Sequence, residues 1–238
     1  TFKSTHLDPG GFAEYVRVPA LNVARDVLRL PPDMSYVAAT MIEPVATCIR
    51  GIERANVQTG DTVIVLGGGV TGLIHLQLCR LFGAAKVVLT DFSDYRLGVA
   101  RQLGADLALD ARTDVAAALR DANEGRLADV VIVTAGSISA MEQGLALAGG
   151  GATVLLFAPS SPKATLPVSP HRLLFSEITV VSSYSCSPQE TRQALRLIQG
   201  ERLNVEDLIT HRFDLAGVGS AIELAAKANN SLKIVITP

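Results

Sequence analysis

The chain of 238 residues contains no tryptophan, and aromatic residues make up only 5% of it. A core without large rings has to be built from aliphatic side chains, as in parallel sheets that are buried on both faces. Charged residues are also scarce, at 18%, and the formal net charge is −2. Binding to nucleic acid needs a basic patch or stripe. The composition therefore favours an aliphatic α/β core and excludes nucleic acid as a partner.

Cysteine is rare as well, and Cys48, Cys79 and Cys186 lie far apart in the sequence. They form neither a C-x-x-C pair nor a cluster with metal-ligand spacing. We expect buried, reduced thiols in a cytoplasmic protein. No apolar run reaches the ~20 residues that a membrane-spanning helix needs, and no signal peptide is visible. These patterns predict no membrane partner.

Strand patterns and helix patterns alternate from Thr62 to about residue 200. The predicted strands are 62–66, 86–90, 108–109, 130–133, 153–157 and 178–182. The predicted helices are 44–55, 70–82, 95–103, 113–122, 138–147 and 189–199. Such alternation is typical of a doubly wound parallel sheet of the Rossmann type, with right-handed crossovers.

The two ends of the chain show other patterns. Residues 11–18 alternate like a strand after a turn at Asp8-Pro9-Gly10, and the segment up to residue 36 is predicted as short β pieces. Residues 215–228 are predicted as a late helix. Residues 233–236 are predicted as a last strand that could return to the first region.

A glycine-rich loop follows the first strand of the alternating region and opens a helix. Its residues are Gly67, Gly68, Gly69, Val70, Thr71 and Gly72. In a dinucleotide-binding loop, Gly67 would allow the tight turn, Gly69 the approach of the pyrophosphate, and Gly72 close helix packing. The helix start adds free N–H groups and about half a positive charge. The loop therefore predicts a dinucleotide site.

An acidic residue, Asp91, ends the next strand, and 91 − 72 places it 19 residues after Gly72. This is the position of the carboxylate that binds the adenosine ribose. Such a carboxylate accepts hydrogen bonds from both ribose hydroxyls and repels a 2′-phosphate, so it favours NAD over NADP. The alternative is a strand-end aspartate that caps the next helix. Arg96 is interpreted either as stacking on the adenine or as a solvated helix arginine.

Several motifs, taken in order, resemble the medium-chain zinc-dependent alcohol dehydrogenase family, in its sorbitol and threonine dehydrogenase branch. They lie at residues 8–15, 43–44, 60–69, 83–87, 101–106 and 209–213. The resemblance covers essentially the whole chain. It implies that residues 1–42 are the remainder of a chaperonin-10-like β catalytic domain. It also implies that residues 43–205 form the NAD-binding domain with its connecting helix, and that residues 206–238 return to the catalytic domain.

The resemblance further implies hydride transfer between a secondary alcohol or polyol and NAD. It implies a homodimer or homotetramer joined at the edges of the coenzyme domains, near residues 180–183. The cofactor-binding positions that it carries over are Thr134 and Ala135 in a loop beside the cofactor, Phe157 and Ser183 near the nicotinamide, and Lys233 near the pyrophosphate. Each loop position could also be ordinary strand-end backbone.

Glu43, followed by Pro44, matches an acidic residue at the zinc site of this family, where it is an occasional ligand or acts through the zinc-bound water. The alternative is that its carboxylate caps the start of a helix. The family's main zinc ligands, a cysteine and a later His-Glu pair, are absent from this sequence. The chain begins with Thr1, not Met, so we expect a truncated enzyme in which zinc binding is doubtful.

Two other functions stay open at this point. The chain could be an NAD-binding remnant without catalysis. It could also be a zinc-free, NADPH-dependent reductase of the same superfamily, although Asp91 and Glu43-Pro44 argue against that function.

Overall fold

The computed structural model describes residues 10–228 and 230–238. The strands in these residues are β1 (Thr62–Leu66), β2 (Lys86–Asp91), β3 (Leu107–Asp110), β4 (Ala128–Val133), β5 (Ala148–Leu156), β6 (Thr179–Ser182), β7 (Ile209–Asp214) and β8 (Lys233–Thr237). The helices are α1 (Ala20–Asp26), α2 (Tyr36–Ala39), α3 (Ile42–Ala55), α4 (Val70–Leu81), α5 (Asp94–Gln102), α6 (Val115–Ala122), α7 (Ile138–Leu147), α8 (Pro170–Phe175), α9 (Pro188–Gln199) and α10 (Val218–Lys227).

Six strands form one parallel sheet in the order β3-β2-β1-β4-β5-β6. β1 lies at its centre, and all five of its residues are buried. Val63 and Val65 belong to the core on one face, and Ile64 and Leu66 to the core on the other. A strand covered on both faces reads as a continuous apolar run. The predicted doubly wound sheet is confirmed.

Helices cover both faces of this sheet. Buried side chains of α3, α4, α5 and α9 share one core with β1, and those of α6 and α7 share the other. α3 packs against both α4 and α9. α3 and α4 also contact strands of the sheet, and ligands bind at the carboxyl ends of such strands in folds of this kind.

The strand predicted over residues 11–18 is wrong. Arg17 forms one isolated β-bridge, and the chain then enters α1, which the sequence pattern did not predict. Tyr15 is 86% exposed, and Val16 and Val18 are also exposed. Alternating side chains form a strand only where a sheet buries one face, and these side chains are not covered by the described residues. Asp8 and Pro9 of the predicted turn lie outside those residues.

The last strand pairs differently from the expectation. β8 joins β7 in a separate two-stranded parallel sheet, with α10 between them in the sequence. Ile209–Asp214 contributed a family motif but was not predicted as a strand. Its residues are only partly buried, so it lacks the continuous apolar run that marks the strands of the large sheet.

The cysteines largely follow the prediction. Cys48 and Cys79 are buried thiols in α3 and α4, and burial raises the pKa of each. Cys186 is only half-buried, in the loop between β6 and α9. Among residues 10–228 and 230–238, no helix has the length and apolar character required to cross a bilayer.

His75, a residue of α4, is fully buried and faces α3. Its Nδ1 is 2.7 Å from the Thr71 carbonyl, which can only accept, so Nδ1 carries the proton. Nε2 faces Gly51, where an added Cβ would lie 2.8 Å from it, and has no hydrogen-bond partner among the described residues. The ring meets Phe157 edge-on at 4.5 Å. The absence of a side chain at Gly51 lets the imidazole fit against α3.

Burial lowers the pKa of His75 from 6.5 to about 4, against the opposing effect of the Thr71 hydrogen bond. Between these values the unfolded state binds more protons than the folded state. The contribution of His75 to the free energy of unfolding is therefore fully present above about pH 6.5 and is lost as the pH drops towards 4. When the pH falls from 7.5 to 5, the free energy of unfolding of the parent chain should decrease by about 2 kcal/mol more than that of a His75→Leu variant. Urea unfolding at the two pH values measures this difference.

The exposed His171 provides the matched control, because a His171→Leu variant also removes one histidine. The same pH slope in the parent chain and in His75→Leu would contradict the assignment.

Candidate dinucleotide-binding site

The large sheet reverses its winding at β1, which has β2 on one side and β4 on the other. Doubly wound sheets bind ligands at this point, beyond the carboxyl ends of the strands. A cavity of about 1000 Å³ opens there. Its lining includes the end of β1 and part of the glycine loop, residues 90–96 at the end of β2 and beyond it, and several residues between 134 and 143 after β4. The topology therefore places the sequence-predicted loop and acid in one cavity.

The glycine loop needs two of its glycines for reasons of backbone geometry. Gly67 has a φ of +108°, in the region that favours glycine, and starts the turn. At Gly72, an added Cβ would lie 1.8 Å from the Gly67 carbonyl oxygen. The helix start therefore packs directly against the turn, and Gly72 serves helix-to-loop contact more than contact with the sheet.

The start of α4 is open towards the cavity. Gly69 is its N-cap and offers no side-chain acceptor, so the first-turn N–H groups of Val70 and Thr71 have no side-chain cap. An added Cβ at Gly69 would meet nothing within 4 Å. Free N–H groups at a helix start, with space beside them, form an anion site. This geometry fits the pyrophosphate of a dinucleotide.

Asp91 ends β2 and lines the same cavity. Its Oδ2 accepts a hydrogen bond from Gly68 N at 2.7 Å, and its Oδ1 accepts from Ser93 N at 2.9 Å. The cap of α5 is Ser93, whose side chain accepts from Arg96 N. Asp91 is therefore not itself the helix cap. Its carboxylate, which is 10% exposed, joins the glycine loop to the cavity wall.

Arg96 lies beside this carboxylate. Its Nη1 is 3.6 Å from Asp91 Oδ2, and its side chain is 20% exposed. Its Nε is buried and has no hydrogen-bond partner within the described ranges. Arg96 lines the large cavity. Arg96 is therefore not a solvated helix arginine. Its stacking on an adenine stays a prediction.

Thr134 and Ala135 also line the cavity, directly after β4. Thr134 Oγ1 donates to the carbonyl of Leu66 or of Gly67, at 2.9 and 3.0 Å. An added Cβ at Gly67 would lie 2.7 Å from this hydroxyl. Thr134 thus fixes the β1 end and the glycine loop against β4, in addition to facing the predicted cofactor.

Phe157 and Ser183 line a second cavity, of about 400 Å³, beyond β5 and β6. Ile138 and Met141 of α7 contribute to its wall, and α7 also borders the large cavity. Lys233 begins β8 and is not among the described residues that line the large cavity. The structure thus places Phe157 and Ser183 outside the cavity that Asp91 lines, and the role predicted for Lys233 near the pyrophosphate stays a prediction.

Several residues at the site were not predicted from the sequence. Gly68 does not line the cavity, but it binds Asp91 through its N–H, and its added Cβ would lie 3.2 Å from both Asp91 and Arg96 side chains. Unpredicted residues that line the cavity include Phe92, Ser93, Tyr95, Ala111, Ser137, Ala228 and Asn230. Most follow the ends of β2, β3 and β4, so the rule that ligands bind at carboxyl ends could have found them. Ala228 and Asn230 follow α10, and no sequence signal indicated them.

Glu43 lies in the first turn of α3 and is exposed. Water can solvate this carboxylate, so it needs no partner of the kind that burial would require. Its zinc-site role stays a prediction. Within the described ranges, no three His, Cys, Asp or Glu side chains come together as a group that could hold a metal ion. These residues alone do not fit a zinc site.

Replacement of the glycines should separate binding from stability. Gly69→Ala has space for its Cβ in the free chain, so we expect retained stability but weaker NADH binding, by about tenfold or more. Gly72→Ala should lower both stability and binding, because its Cβ overlaps the Gly67 carbonyl. Thermal unfolding and calorimetric titration measure the two properties.

Gly98→Ala serves as the control, since an added Cβ within α5 meets nothing within 4 Å. It should stabilise the chain by about 0.5–1 kcal/mol and leave NADH binding unchanged. Equal effects of Gly69→Ala and Gly98→Ala on binding would refute the pyrophosphate assignment.

Among known proteins, this chain is 30% identical over 237 residues to the sorbitol dehydrogenase of Halalkalibacterium halodurans. The match covers 96% of this chain and 66% of that protein. The chain thus spans just under two thirds of the length of this relative. The predicted resemblance to the sorbitol dehydrogenase branch is confirmed.

Solved structures give the same result. A zinc-binding dehydrogenase of Sinorhizobium meliloti with bound NADP has a TM-score of 0.87 at 30% identity, covering 96% of this chain and 66% of its own. An Escherichia coli alcohol dehydrogenase with bound NADH has a TM-score of 0.86 at 26% identity, with the same coverage. The family model described as zinc-binding dehydrogenase matches residues 70–200. The chain therefore belongs to the zinc-binding dehydrogenase family.

Proposed function

We propose that this chain binds NAD and supplies the cofactor-binding part of an enzyme that transfers hydride between a secondary alcohol or polyol and NAD. The observation that carries the proposal is the Asp91 carboxylate, held in the large cavity beside the glycine loop. Bound NAD would accept the hydride that leaves the alcohol carbon. The residues of this chain bind the cofactor, orient it and exclude water from it.

Selectivity between NAD and NADP has to come from this chain's own residues, because similar structures hold either NADP or NADH. The Asp91 carboxylate can accept hydrogen bonds from the two ribose hydroxyls, either beside its present hydrogen bonds or in place of them. A 2′-phosphate would bring two negative groups together in a partly buried place, which is unfavourable. Arg96 lies close to Asp91 and offsets part of this repulsion, so Asp91 and Arg96 together set the preference.

The other half of the cofactor extends towards β4, β5 and β6. A doubly wound sheet binds one mononucleotide on each side of its switch point. The adenosine side is occupied by the glycine loop and Asp91, so the nicotinamide side falls near Phe157 and Ser183. Their small cavity gives the ring an apolar wall and limits the access of water.

Zinc would polarise the substrate alcohol and stabilise the alkoxide in an enzyme of this family. The described residues do not assemble a site for it, so no step of the chemistry is assigned to zinc here. That finding favours one second candidate function, an NAD-binding module that does not turn over a substrate. Turnover of an alcohol or polyol by this chain would contradict the module.

Self-association through the β6 edge is also proposed. β6 is an outer strand of the large sheet, and Leu174 and Phe175 beside it are 71% and 72% exposed. Val180 within the strand is also exposed. An unpaired edge next to exposed apolar side chains is a surface on which a second copy can pair. A homodimer is the simplest assembly, and a homotetramer and a cytoplasmic location stay predictions.

The cofactor preference is tested at Asp91. Asp91→Ser should weaken NAD binding by roughly tenfold or more, because hydrogen bonds to a charged group contribute about 1.5–3 kcal/mol. Binding of NADP should weaken less or improve, because the repelling charge is gone. Calorimetric titration with both cofactors measures the ratio.

Asp91→Asn is the matched control for loop geometry, since its amide oxygen can still accept from Gly68 N. It should relax the discrimination against NADP while losing less NAD affinity than the serine variant. Unchanged affinities for both cofactors in both variants would rule out the ribose assignment.

The predicted dimer surface is tested with a Leu174→Ser, Phe175→Ser double variant. Burial of one large apolar side chain contributes about 1.5–3 kcal/mol, so the dimer dissociation constant should rise by at least about tenfold. Sedimentation velocity over a concentration series measures it. Ile222→Ser removes a comparably exposed apolar side chain from α10 and should have no effect. A monomeric parent chain at all concentrations would contradict the proposal.

A further inference from the structure

The loop between β6 and α9, residues 183–187, is held at both ends by side chains. We call it the β6–α9 loop. It follows Ser182, the last residue of β6, and ends at Ser187, the N-cap of α9. Ser183 and Tyr184 line the 400 Å³ cavity that lies on the proposed nicotinamide side. The position of this loop therefore decides the shape of that cavity.

The first end of the loop is held by α3. Arg54 Nε donates a hydrogen bond to the carbonyl oxygen of Ser182 at 2.6 Å. This bond links residues 128 positions apart in the sequence. It joins the C-terminal turn of α3 to the last carbonyl of the edge strand β6, where the sheet supplies a neighbour on one side only.

The second end is held through Glu190. Its Oε2 accepts from Ser187 N at 2.6 Å and from the Ser187 hydroxyl, in a capping box at the start of α9. Its Oε1 is 3.3 Å from Arg50 Nη1. Arg50 lies one helical turn before Arg54 on α3, so both arginines project from one face of that helix. α3 thus contacts one end of the loop directly, through Arg54, and the other end through the Arg50–Glu190 ion pair.

The Glu190 contact is charged and shielded. The Glu190 side chain is 7% exposed. Burial alone would raise the pKa of Glu190, but the hydrogen bonds from Ser187 and the Arg50 guanidinium outweigh it, so the pKa lies below its ordinary value. Removal of Arg50 would leave this buried carboxylate without its cation, which is costly.

The loop backbone is strained between these two contacts. Ser185 has a φ of +61°, in the left-handed region. This conformation is unfavourable for a residue with a Cβ, which keeps it only where its surroundings enforce it. The contacts at Ser182 and Ser187 supply that enforcement. A loop released at either end would relax from this shape.

We infer that Arg50 and Arg54 are positioning residues, which hold the β6–α9 loop in the shape that receives the nicotinamide end of the cofactor. The inference rests on the proposed function. α3 is well suited to this task because its apolar residues are locked in the main core, against α4 and α9. The loop is thereby held at both ends by contacts with a rigid helix or with its ion-pair partner. Affinity for the nicotinamide half should depend on both arginines, whereas affinity for the adenosine half should not.

The test compares NADH with ADP-ribose, which has the adenosine and pyrophosphate but no nicotinamide. Both are titrated calorimetrically into the 238-residue chain and into Arg54→Met and Arg50→Met variants. We expect each variant to lose about tenfold in NADH affinity, equivalent to roughly 1.4 kcal/mol, because binding would then have to order the loop. ADP-ribose affinity should change by less than about twofold, which also shows that the variants are folded.

Two further variants sharpen the result. Arg54→Lys keeps a donor for the Ser182 carbonyl and should recover part of the NADH affinity. Arg126→Met is the matched control, because Arg126 forms an exposed ion pair with Glu124 at the amino end of β4. It removes the same charge and should leave both affinities unchanged.

The outcomes separate the inference from the proposed function. Equal losses for NADH and ADP-ribose, or no loss for either, would overturn the positioning role. If the parent chain bound NADH no more tightly than ADP-ribose, the inference alone would be overturned, because the adenosine site would still be supported. Failure of the parent chain to bind either ligand would overturn the proposed function and the inference with it.

Discussion

The binding site depends on the hydrogen bond from Gly68 N–H to the Asp91 carboxylate, 2.7 Å long. It joins the turn after β1 to the end of β2, two strands that are paired in parallel register. The turn can approach so closely only because Gly68 has no Cβ, which would lie 3.2 Å from the Asp91 and Arg96 side chains. The same carboxylate thus shapes the loop that is proposed to face the pyrophosphate, and in the proposed site it would present charge to the ribose. Loop conformation and the proposed cofactor preference are therefore coupled in one residue.

The centre of the large sheet could be predicted from the sequence because β1, β2 and β4 are largely buried and read as apolar runs. β1 is the clearest case, since Thr62–Leu66 is buried throughout. The same reasoning failed at residues 11–18, where an alternating pattern is exposed and forms one isolated bridge. It also missed β7, whose residues are only partly buried. Periodicity reports what a segment would bury, and it misleads where the described chain offers no surface to bury it against.

The site divides in the same way. Gly67, Gly72 and Asp91 could be predicted because each carries a local constraint: a left-handed turn, a contact too close for a Cβ, or a strand end at fixed spacing. Arg50 and Arg54 could not. On the sequence they are ordinary polar positions of an amphipathic helix, and their partners lie 140 and 128 residues further on. Only the packing of α3 against α9 and β6 brings these groups together.

α3 is therefore the element on which the proposed nicotinamide site depends. Its later turns hold the β6–α9 loop through Arg50 and Arg54. Its apolar face lies in the core, where small displacements are resisted by close packing. A single rigid helix that contacts both ends of the loop fixes the distance between those ends, whereas a contact from another loop would leave it variable. Hydride transfer needs donor and acceptor atoms within a narrow range of separation, and a loop fixed in this way would keep the proposed nicotinamide site in one shape.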